Sequence, residues 1–191
     1  PMAVNTANTE CVMEVAMPMF CIGFKTEPAM RGREAMLRDI VGDLAAEVLM
    51  GESSPLYARL YEQGLIDAGF SCGYESVRGA GLLSASGDSD DPETVLQAIL
   101  EEADHIRQSG VNEELFEQLK RSAMGRWIRG LDSFESICYR TCAYEFDGMD
   151  YFEFMDVFRS VTVQQVATFL NRTVTKERCT LSVVWPKDQE V

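Results

Sequence analysis

The chain has 191 residues, of which 46% are hydrophobic and 25% are charged, a composition typical of a globular protein with one well-filled core. Its 31 acidic and 17 basic side chains give a formal net charge of -14 at pH 7. Because this charge repels phosphate backbones and anionic lipids, the composition argues against nucleic acid and membrane surfaces as partners.

The first elements along the chain are a strand and two helices. The nearly continuous apolar run Val12–Phe24 predicts a strand covered on both faces, with an edge or a break at Pro18. Apolar side chains at helical spacing then predict a helix from about Arg33 to Met50, which Gly51 ends. A second, short helix is expected over about 55–63.

A β-hairpin is predicted next. Two runs rich in small residues, 69–76 and 81–87, flank a glycine-bearing loop at 77–80 that contains Arg78. Small residues let another backbone or a ligand come close. The glycines around Arg78 lack the lysine-serine ending of a phosphate loop and the strand-then-helix context of a dinucleotide turn, so no nucleotide site is predicted.

Helical patterns occupy most of the following hundred residues. Asp91 with Pro92 begins one helix, which Gly110 ends, and Asn112 caps another. A third begins at Asp132 or Ser133, reaches about Phe146 and is broken by Gly148. The inner faces expected of the first two helices consist of Leu96, Ile99, Ala103 and Ile106, and of Phe116, Leu119, Ala123 and Trp127.

The last part of the chain predicts a short aromatic piece, a helix and a strand. The aromatic piece spans 151–158. Thr162 and Gln165 have the spacing of a capping box and begin a helix that runs to about Arg172. Alternation of larger and smaller side chains over 179–185 predicts a final strand.

This order of elements predicts an α+β fold. It lacks the regular strand-helix alternation of a doubly wound parallel sheet and fits a two-layer sandwich, in which helices cover one face of a few-stranded, largely antiparallel sheet. We expect a single domain over residues 1–191, with its core at about 10–186. The chain begins with proline and methionine without a start signal, so we expect it to derive from a longer protein.

The six cysteines are scattered, without a Cys-x-x-Cys pair or a nearby histidine in sequence, and predict neither a zinc cage nor a disulfide framework. We expect them to be buried as small apolar side chains in a reducing compartment. No run approaches the roughly 20 apolar residues of a membrane helix, and the N-terminus lacks a signal-peptide pattern. We therefore expect a cytoplasmic protein. The cysteines are Cys11, Cys21, Cys72, Cys138, Cys142 and Cys179.

Candidate catalytic residues are lacking in the sequence. The one histidine, His105, shares a helical face with Glu101 and Glu102, where surface ion pairing is the expected role. A hydrolytic zinc site needs two or three such ligands on one face. No Gly-x-Ser-x-Gly elbow is present, and Ser53 and Ser54 are expected to satisfy backbone groups at a helix boundary. The sequence thus predicts no catalytic and no metal-binding residue.

Aromatic residues concentrate between residues 139 and 158. Such a stripe usually belongs to the core, and an exposed docking surface is the alternative. The residues are Tyr139, Tyr144, Phe146, Tyr151, Phe152, Phe154 and Phe158.

Four features together resemble one protein family. They are the segment Gly-Glu-Ser-Ser-Pro-Leu-Tyr-Ala-Arg-Leu-Tyr-Glu-Gln-Gly-Leu at 51–65, the hairpin that follows it, Asp-Pro-Glu at 91–93 and Glu-Gln-Leu-Lys-Arg at 117–121. The combination is similar to the second half of the pitrilysin/insulinase-family zinc metallopeptidases, the group that includes mitochondrial processing peptidase, and most of all to half-length bacterial members. The resemblance extends from about Cys21 to Trp185.

The resemblance implies a fold and different roles for the two domains of the parent protein. In this family related α+β domains occur in series: the first normally holds a His-x-x-Glu-His zinc motif, and the second helps to close a chamber over an extended peptide. This chain contains no His-x-x-Glu-His. The resemblance therefore implies the non-zinc domain, with no cofactor of its own and with zinc in the parent protein, whose zinc-bearing half or a homologous subunit would be its partner.

The resemblance also implies substrate-binding residues. Active members often carry an arginine and a tyrosine in a Ser-x-Leu-x-x-x-Leu-Arg-x-x-x-Gly-Leu-x-Tyr segment that reaches the substrate carbonyl. In this chain Arg59 or Tyr61 occupies the arginine position, depending on a one-residue gap, and Ile66 or Asp67 stands at the tyrosine position. The pair is incomplete. The alternative role of Arg59 is a helix-surface ion pair with Glu62.

Three hypotheses follow for function. The first is the C-terminal domain of a zinc metallopeptidase, which binds peptide by presenting a strand edge or hairpin. The second is an inactive subunit that acts as a scaffold or peptide-binding partner. The third is a small-molecule binding module, which would require a closed apolar pocket with a few convergent polar groups.

Overall fold

The computed structural model describes residues 2–27, 31–77, 80–146 and 148–187. Short 3₁₀ turns occur at Tyr151–Glu153 and Lys176–Arg178. The strands are β1 (Asn8–Met13), β2 (Met19–Thr26), β3 (Ser71–Val77), β4 (Ala80–Asp88) and β5 (Cys179–Pro186), and the helices are α1 (Arg33–Met50), α2 (Pro55–Glu62), α3 (Pro92–Ser109), α4 (Glu113–Gly130), α5 (Phe134–Phe146), α6 (Phe154–Ser160) and α7 (Val163–Thr173).

The five strands form one sheet in the order β1-β5-β2-β4-β3. The β1–β5 pair is parallel, and the other three pairs are antiparallel. The predicted α+β fold with a largely antiparallel sheet is confirmed. The predicted hairpin corresponds to β3 and β4, while Arg78 and Gly79 of its loop lie outside the described residues.

The sheet has one covered and one open face. In β2 the side chains of Phe20, Ile22 and Phe24 are buried, whereas those of Met19 and Cys21 are exposed. The prediction of a strand covered on both faces was therefore wrong, because helices pack on one face only and alternate side chains point away from them.

The predicted break at Pro18 is confirmed. The apolar run over 12–24 divides into the end of β1 and most of β2, with Pro18 between the two strands. A proline has no backbone N–H to donate to a sheet ladder, but its carbonyl can still accept, and here it accepts from the Ser89 amide at 3.0 Å. β1 then pairs in parallel with β5 as a separate strand at the sheet edge.

Helix α1 is the centre of the helical layer. Eleven of its side chains or glycine positions are buried, and it contacts β3, α4, α6 and α7. Gly42 lets α1 approach β3 closely, because a Cβ atom at this position would lie 2.3 Å from the Tyr74 ring. The close approach fixes α1 beside the outermost strand of the sheet.

The helix ends confirm the predicted capping residues. The side chains of Ser54, Asp91, Asn112 and Thr162 each accept a hydrogen bond from a backbone amide in the first turn of their helix. Thr162 and Gln165 form the complete capping box. The predicted inner face of α3 is also confirmed for Ile99, Ala103 and Ile106, which are buried. Leu96, its fourth predicted member, is only half-buried.

The prediction that the cysteines are buried was wrong for most of them. Only Cys179 is buried and Cys72 is half-buried, and all six are free thiols. The other four are exposed because they lie on outward faces: Cys11 and Cys21 on the open face of the sheet, Cys138 and Cys142 on the outward face of α5.

The aromatic stripe is divided between core and surface. Tyr151 and Phe158 are buried, as predicted, and Tyr144 and Phe154 are half-buried. The core prediction was wrong for three residues, whose exposed fractions are 75% for Tyr139, 90% for Phe146 and 73% for Phe152. Within the described residues, none of the helices has the length and apolar character needed to span a bilayer.

Candidate functional site

The edge of the sheet opposite β1 borders an elongated groove. Strand β3 is last in the strand order, and among the described residues no further strand pairs with it. Two adjoining clefts, of about 630 and 490 Å³, extend along it and share Glu47, Cys72 and Arg126. We call these two clefts together the β3 groove. It lies between α1 and β3 on one side and α4 on the other, and α5 contributes Arg140 and Tyr144.

The wall that α1 forms is acidic. Asp39, Asp43 and Glu47 follow one another at intervals of four residues, so they lie on one side of the helix, and all three line the groove. Arg126 of α4 forms an ion pair with Glu47, with 3.6 Å between Nη2 and Oε1. The groove therefore combines carboxylates on one wall with a guanidinium on the other.

The surroundings of Asp43 disfavour its charged form. Desolvation in the groove raises the pKa of its carboxyl from the ordinary 3.8 to about 6, and the charge of Asp39 adds to the rise. The backbone amide of Tyr74 in β3 donates toward the carboxylate and lowers the pKa in part. The side chain nevertheless reaches solvent at the mouth of the groove. Asp43 lines the same cleft as Cys72 and Gly73 of β3, so its carboxyl faces that strand.

Two other titratable groups of the groove, the Cys72 thiol and the Tyr144 phenol, are neutral at physiological pH. Burial, together with the charges of Glu47 and Asp43, raises the pKa of the Cys72 thiol to about 12. Burial and the charge of Asp39 raise the pKa of Tyr144 to about 12. Cys72 is thus a thiol rather than a thiolate nucleophile. The groove offers hydrogen bonds and charges to a ligand.

The described residues include no group of three or more histidine, cysteine, aspartate or glutamate side chains placed to hold a metal ion. His105 lies in a different cleft, which it lines with Glu101 and Glu102. The described residues therefore do not fit a hydrolytic zinc site of the kind that needs three protein ligands.

The structure separates the two predicted substrate-binding residues. Both lie on α2, but side chains two residues apart point to opposite sides of a helix. Tyr61 is 52% exposed and stacks on Tyr57, with ring centroids 5.9 Å apart, and Tyr57 lines one end of the β3 groove. Arg59 lines the separate cleft between α2 and α3.

Arg59 pairs with a residue that the sequence did not indicate. Its Nη2 atom lies 3.2 Å from Oε2 of Glu102 on α3. The predicted pair with Glu62 was wrong, because α3 packs beside α2 and offers a carboxylate whose side chain is only 12% exposed. At the tyrosine position of the family segment, Ile66 is buried and Asp67 accepts a hydrogen bond from the Gly69 amide at 2.8 Å.

The groove itself was missed by the sequence reasoning. Its signal was present as three acidic residues at four-residue intervals in a helix whose other side chains are mostly apolar. Such spacing indicates one acidic helix side. The edge position of β3 could not be read in this way, since strand order depends on contacts between distant segments.

A family model described as the peptidase M16 inactive domain matches residues 3–123 of the chain. Among curated proteins, the chain is 28% identical over 188 residues to YmfH of Bacillus subtilis (strain 168), which is named as an uncharacterized zinc protease. The match covers 97% of this chain and 43% of YmfH.

Solved structures share the fold. An M16-like peptidase from Alicyclobacillus acidocaldarius superposes with a TM-score of 0.91 at 21% identity, over 98% of this chain and 45% of that one. The inactive peptidase domain of a protein named as a zinc protease from Bordetella parapertussis gives a TM-score of 0.76 at 16% identity, over 94% and 97% of the two chains. The chain thus spans about half the length of YmfH and of the first of these structures.

Proposed function

Because the chain belongs to the family of peptidase M16 inactive domains, we propose that it is the non-zinc half of a zinc metalloendopeptidase and helps to enclose and bind an extended peptide substrate. The alignment with YmfH, which is named as a zinc protease and of whose length this chain covers 43%, supports this proposal. Zinc chemistry belongs to the other half of the parent, since the described residues here offer no metal site. The partners are accordingly that half, or a homologous subunit, and a peptide.

The observation that carries the peptide-binding role is the β3 groove. An extended peptide can add to an open sheet edge, where main-chain hydrogen bonds supply affinity. In an antiparallel pair, alternate residues direct their backbone groups away from the partner strand. Ser71, Cys72 and Gly73 of β3 line the groove, and β3 pairs with β4 on its other side. The groove would receive the peptide along this edge.

Of the two candidate residues, we propose that Tyr61 contacts the peptide. It is exposed beside the end of the groove, and its stacking on Tyr57 orients its ring. Arg59 would instead tie α2 to α3 through Glu102. We further propose a cytoplasmic location, which the free state of all six cysteines supports.

A second candidate function is an inactive subunit that acts as a scaffold or peptide-binding partner. The incomplete arginine-tyrosine pair favours it, because neither Ile66 nor Asp67 has a phenol that could reach a substrate carbonyl. Ile66 is also buried, and Asp67 accepts a hydrogen bond from the Gly69 amide. The two functions differ in whether the parent protein cleaves peptides.

The test uses the full-length parent and the 191-residue chain side by side, with zinc analysis and cleavage of a quenched fluorescent peptide. We expect the parent to hold zinc and to lose cleavage on chelation, and this chain alone to show neither. In the parent, Tyr61→Ala should raise KM about tenfold or more, whereas Arg59→Ala, the matched control on the same helix, should change it less than about twofold.

Two results would contradict the proposal. One is a stoichiometric zinc ion or chelator-sensitive cleavage in the 191-residue chain by itself. The other is an equal KM for wild type and Tyr61→Ala in an active parent. A parent that binds the peptide but neither holds zinc nor cleaves would support the scaffold function instead.

A further inference from the structure

Helix α5 differs from every other described α-helix in how it is packed. Each of the others has at least two buried residues, whereas α5 has none among its 13 residues. The side facing the domain is half-buried and includes the apolar Ile137, Ala143 and Tyr144 together with the polar Arg140 and Thr141. The domain therefore holds α5 through a partly polar side, at the wall of the β3 groove.

The outward side of α5 is the more apolar one. At 100° per residue, five apolar or thiol side chains fall within one continuous sector of the helix, opposite the half-buried side. We call these five residues the α5 surface: Phe134 (81% exposed), Cys138, Tyr139 (75%), Cys142 and Phe146 (90%). A surface helix of a complete globular body has the reverse arrangement, with the apolar side inward.

The size of the α5 surface is that of a protein contact. An aromatic side chain can bury roughly 150–250 Å², so three of them present about 450–750 Å². The largest apolar patch of a typical monomer is about 300–600 Å² and is often functional, and one side of a standard interface is about 800 Å². Covering the α5 surface would thus supply most of one side of such an interface.

We infer that the α5 surface is covered by the other half of the parent protein; this inference rests on the proposed function. The two relatives of which this chain covers 43% and 45% contain, outside the aligned part, more than half of their own length. Nearly all of this chain lies within the aligned part and leaves the α5 surface exposed. A body that covers this surface therefore comes from the additional part of the parent.

Charge argues against a second copy of this chain as the covering body. Glu135 and Glu145 lie within the same outward sector as the aromatic rings. A twofold contact through α5 would bring these carboxylates toward their equivalents, between two molecules of formal charge -14. The fitting partner presents an apolar patch flanked by lysine or arginine side chains.

The two exposed thiols of α5 provide the test. Alkylation of Cys138 and Cys142 by iodoacetamide, followed by peptide mass spectrometry, is compared between the 191-residue chain and the full-length parent, with the buried Cys179 as the protected reference. We expect both α5 thiols to react at least about tenfold more slowly in the parent, because a closed interface limits reagent access to its opening. Equal rates in the two proteins would overturn the inference.

A paired variant tests the surface independently. Phe134→Lys with Phe146→Lys should restore fast alkylation of Cys138 and Cys142 in the parent, since both rings are at least 81% exposed in this domain and their loss should not unfold it. Met17→Lys, at an exposed position in the loop between β1 and β2, is the control and should leave the protection unchanged.

Three further outcomes separate the possible failures. Protection in the 191-residue chain that grows with its concentration would identify a second copy as the occupant and overturn the inference. Protection that survives the double substitution would also overturn it. A parent that shields α5 but neither holds zinc nor cleaves peptides would contradict the proposed function while supporting the contact.

Discussion

Helices α7 and α5 are of similar length and both have an apolar side. The apolar side of α7 faces the core, whereas that of α5 faces solvent. In α7 the apolar side chains of Val166 and Leu170 are 0% and 1% exposed and pack into the core of the domain. In α5 the apolar side faces solvent, and the half-buried side includes Arg140. The comparison teaches that an apolar stripe specifies that a helix will be covered, but not which body covers it.

The two helices also begin differently. A complete capping box fixes the first turn of α7: the Thr162 amide donates to Gln165 Oε1 at 2.8 Å, and the Thr162 hydroxyl accepts from the Gln165 amide at 3.4 Å. At the start of α5, Ser133 Oγ accepts a hydrogen bond from the Ser136 amide at 3.2 Å, which corresponds to one of the two hydrogen bonds of the α7 capping box. Local sequence stabilises α7 more firmly than α5.

The largest expected difference concerns core packing. Leu170→Ala in α7 should destabilise the isolated domain by about 3 kcal/mol, because it leaves a cavity in a closed core. Phe146→Ala in α5 should change stability by less than about 0.5 kcal/mol, because the ring already contacts water. Urea unfolding of both variants measures this contrast. Similar losses of stability in the two would show that α5 belongs to the same core as α7.

A smaller difference is expected at the helix starts. Thr162→Ala should destabilise the domain by about 1 kcal/mol, since it removes one cap of a helix on which the core depends. Ser133→Ala should leave the global unfolding free energy within about 0.5 kcal/mol of wild type and speed amide exchange only in the first turn of α5, which opens locally. Hydrogen exchange with mass spectrometry distinguishes them. Global destabilisation by Ser133→Ala would refute the local character of α5.

The smallest effect is a pH dependence of the stability, caused by Asp43 on the α1 wall of the β3 groove. The pKa of Asp43 is about 6 in the folded chain and near the ordinary 3.8 when unfolded, so the folded state binds the proton more tightly. This contribution to stability is fully present below pH 3.8 and is lost as the pH rises through about 6. Because the carboxyl reaches solvent, we expect a loss of less than about 1 kcal/mol.

Asp43→Asn isolates this contribution. The variant should be more stable than wild type above about pH 6, because it lacks the charge that desolvation disfavours, and the advantage should fade on acidification toward pH 4. Urea midpoints recorded across this pH range test the expectation. An advantage of Asp43→Asn that is the same at pH 4 and at pH 7 would show that the carboxyl charge is not its cause.

Much of the fold followed from local chemistry. The caps at Asp91, Asn112 and Thr162 and the break at Pro18 were predicted because each depends on backbone hydrogen bonding or proline geometry within a few residues. The candidate site was predicted only in part. Tyr61 was named, but its position beside the β3 groove depends on how α2 packs against the start of β3.

The errors concern the direction in which side chains point. Cys21 and Cys138 were expected inside because cysteines are usually buried, and both lie on faces that this domain leaves open. Phe146 was expected in the core because aromatic stripes usually are. The ion pair considered as an alternative role for Arg59 lay within α2, whereas its partner Glu102 lies 43 residues away on α3. In each case a frequent local preference gave way to the arrangement of distant segments.

The sequence by itself determined the residues that cap the starts of α3, α4 and α7, that the charge is strongly negative, and that a single histidine, without a His-x-x-Glu-His motif, accompanies a peptidase-like segment. Only the tertiary structure decided that β3 lies at one edge of the sheet, that the acidic side of α1 lines the groove beside it, and that α5 turns Phe134, Tyr139 and Phe146 outward. The physical reason is range: caps and turns form between neighbours in sequence, whereas edges, grooves and exposed faces exist only once distant segments have packed.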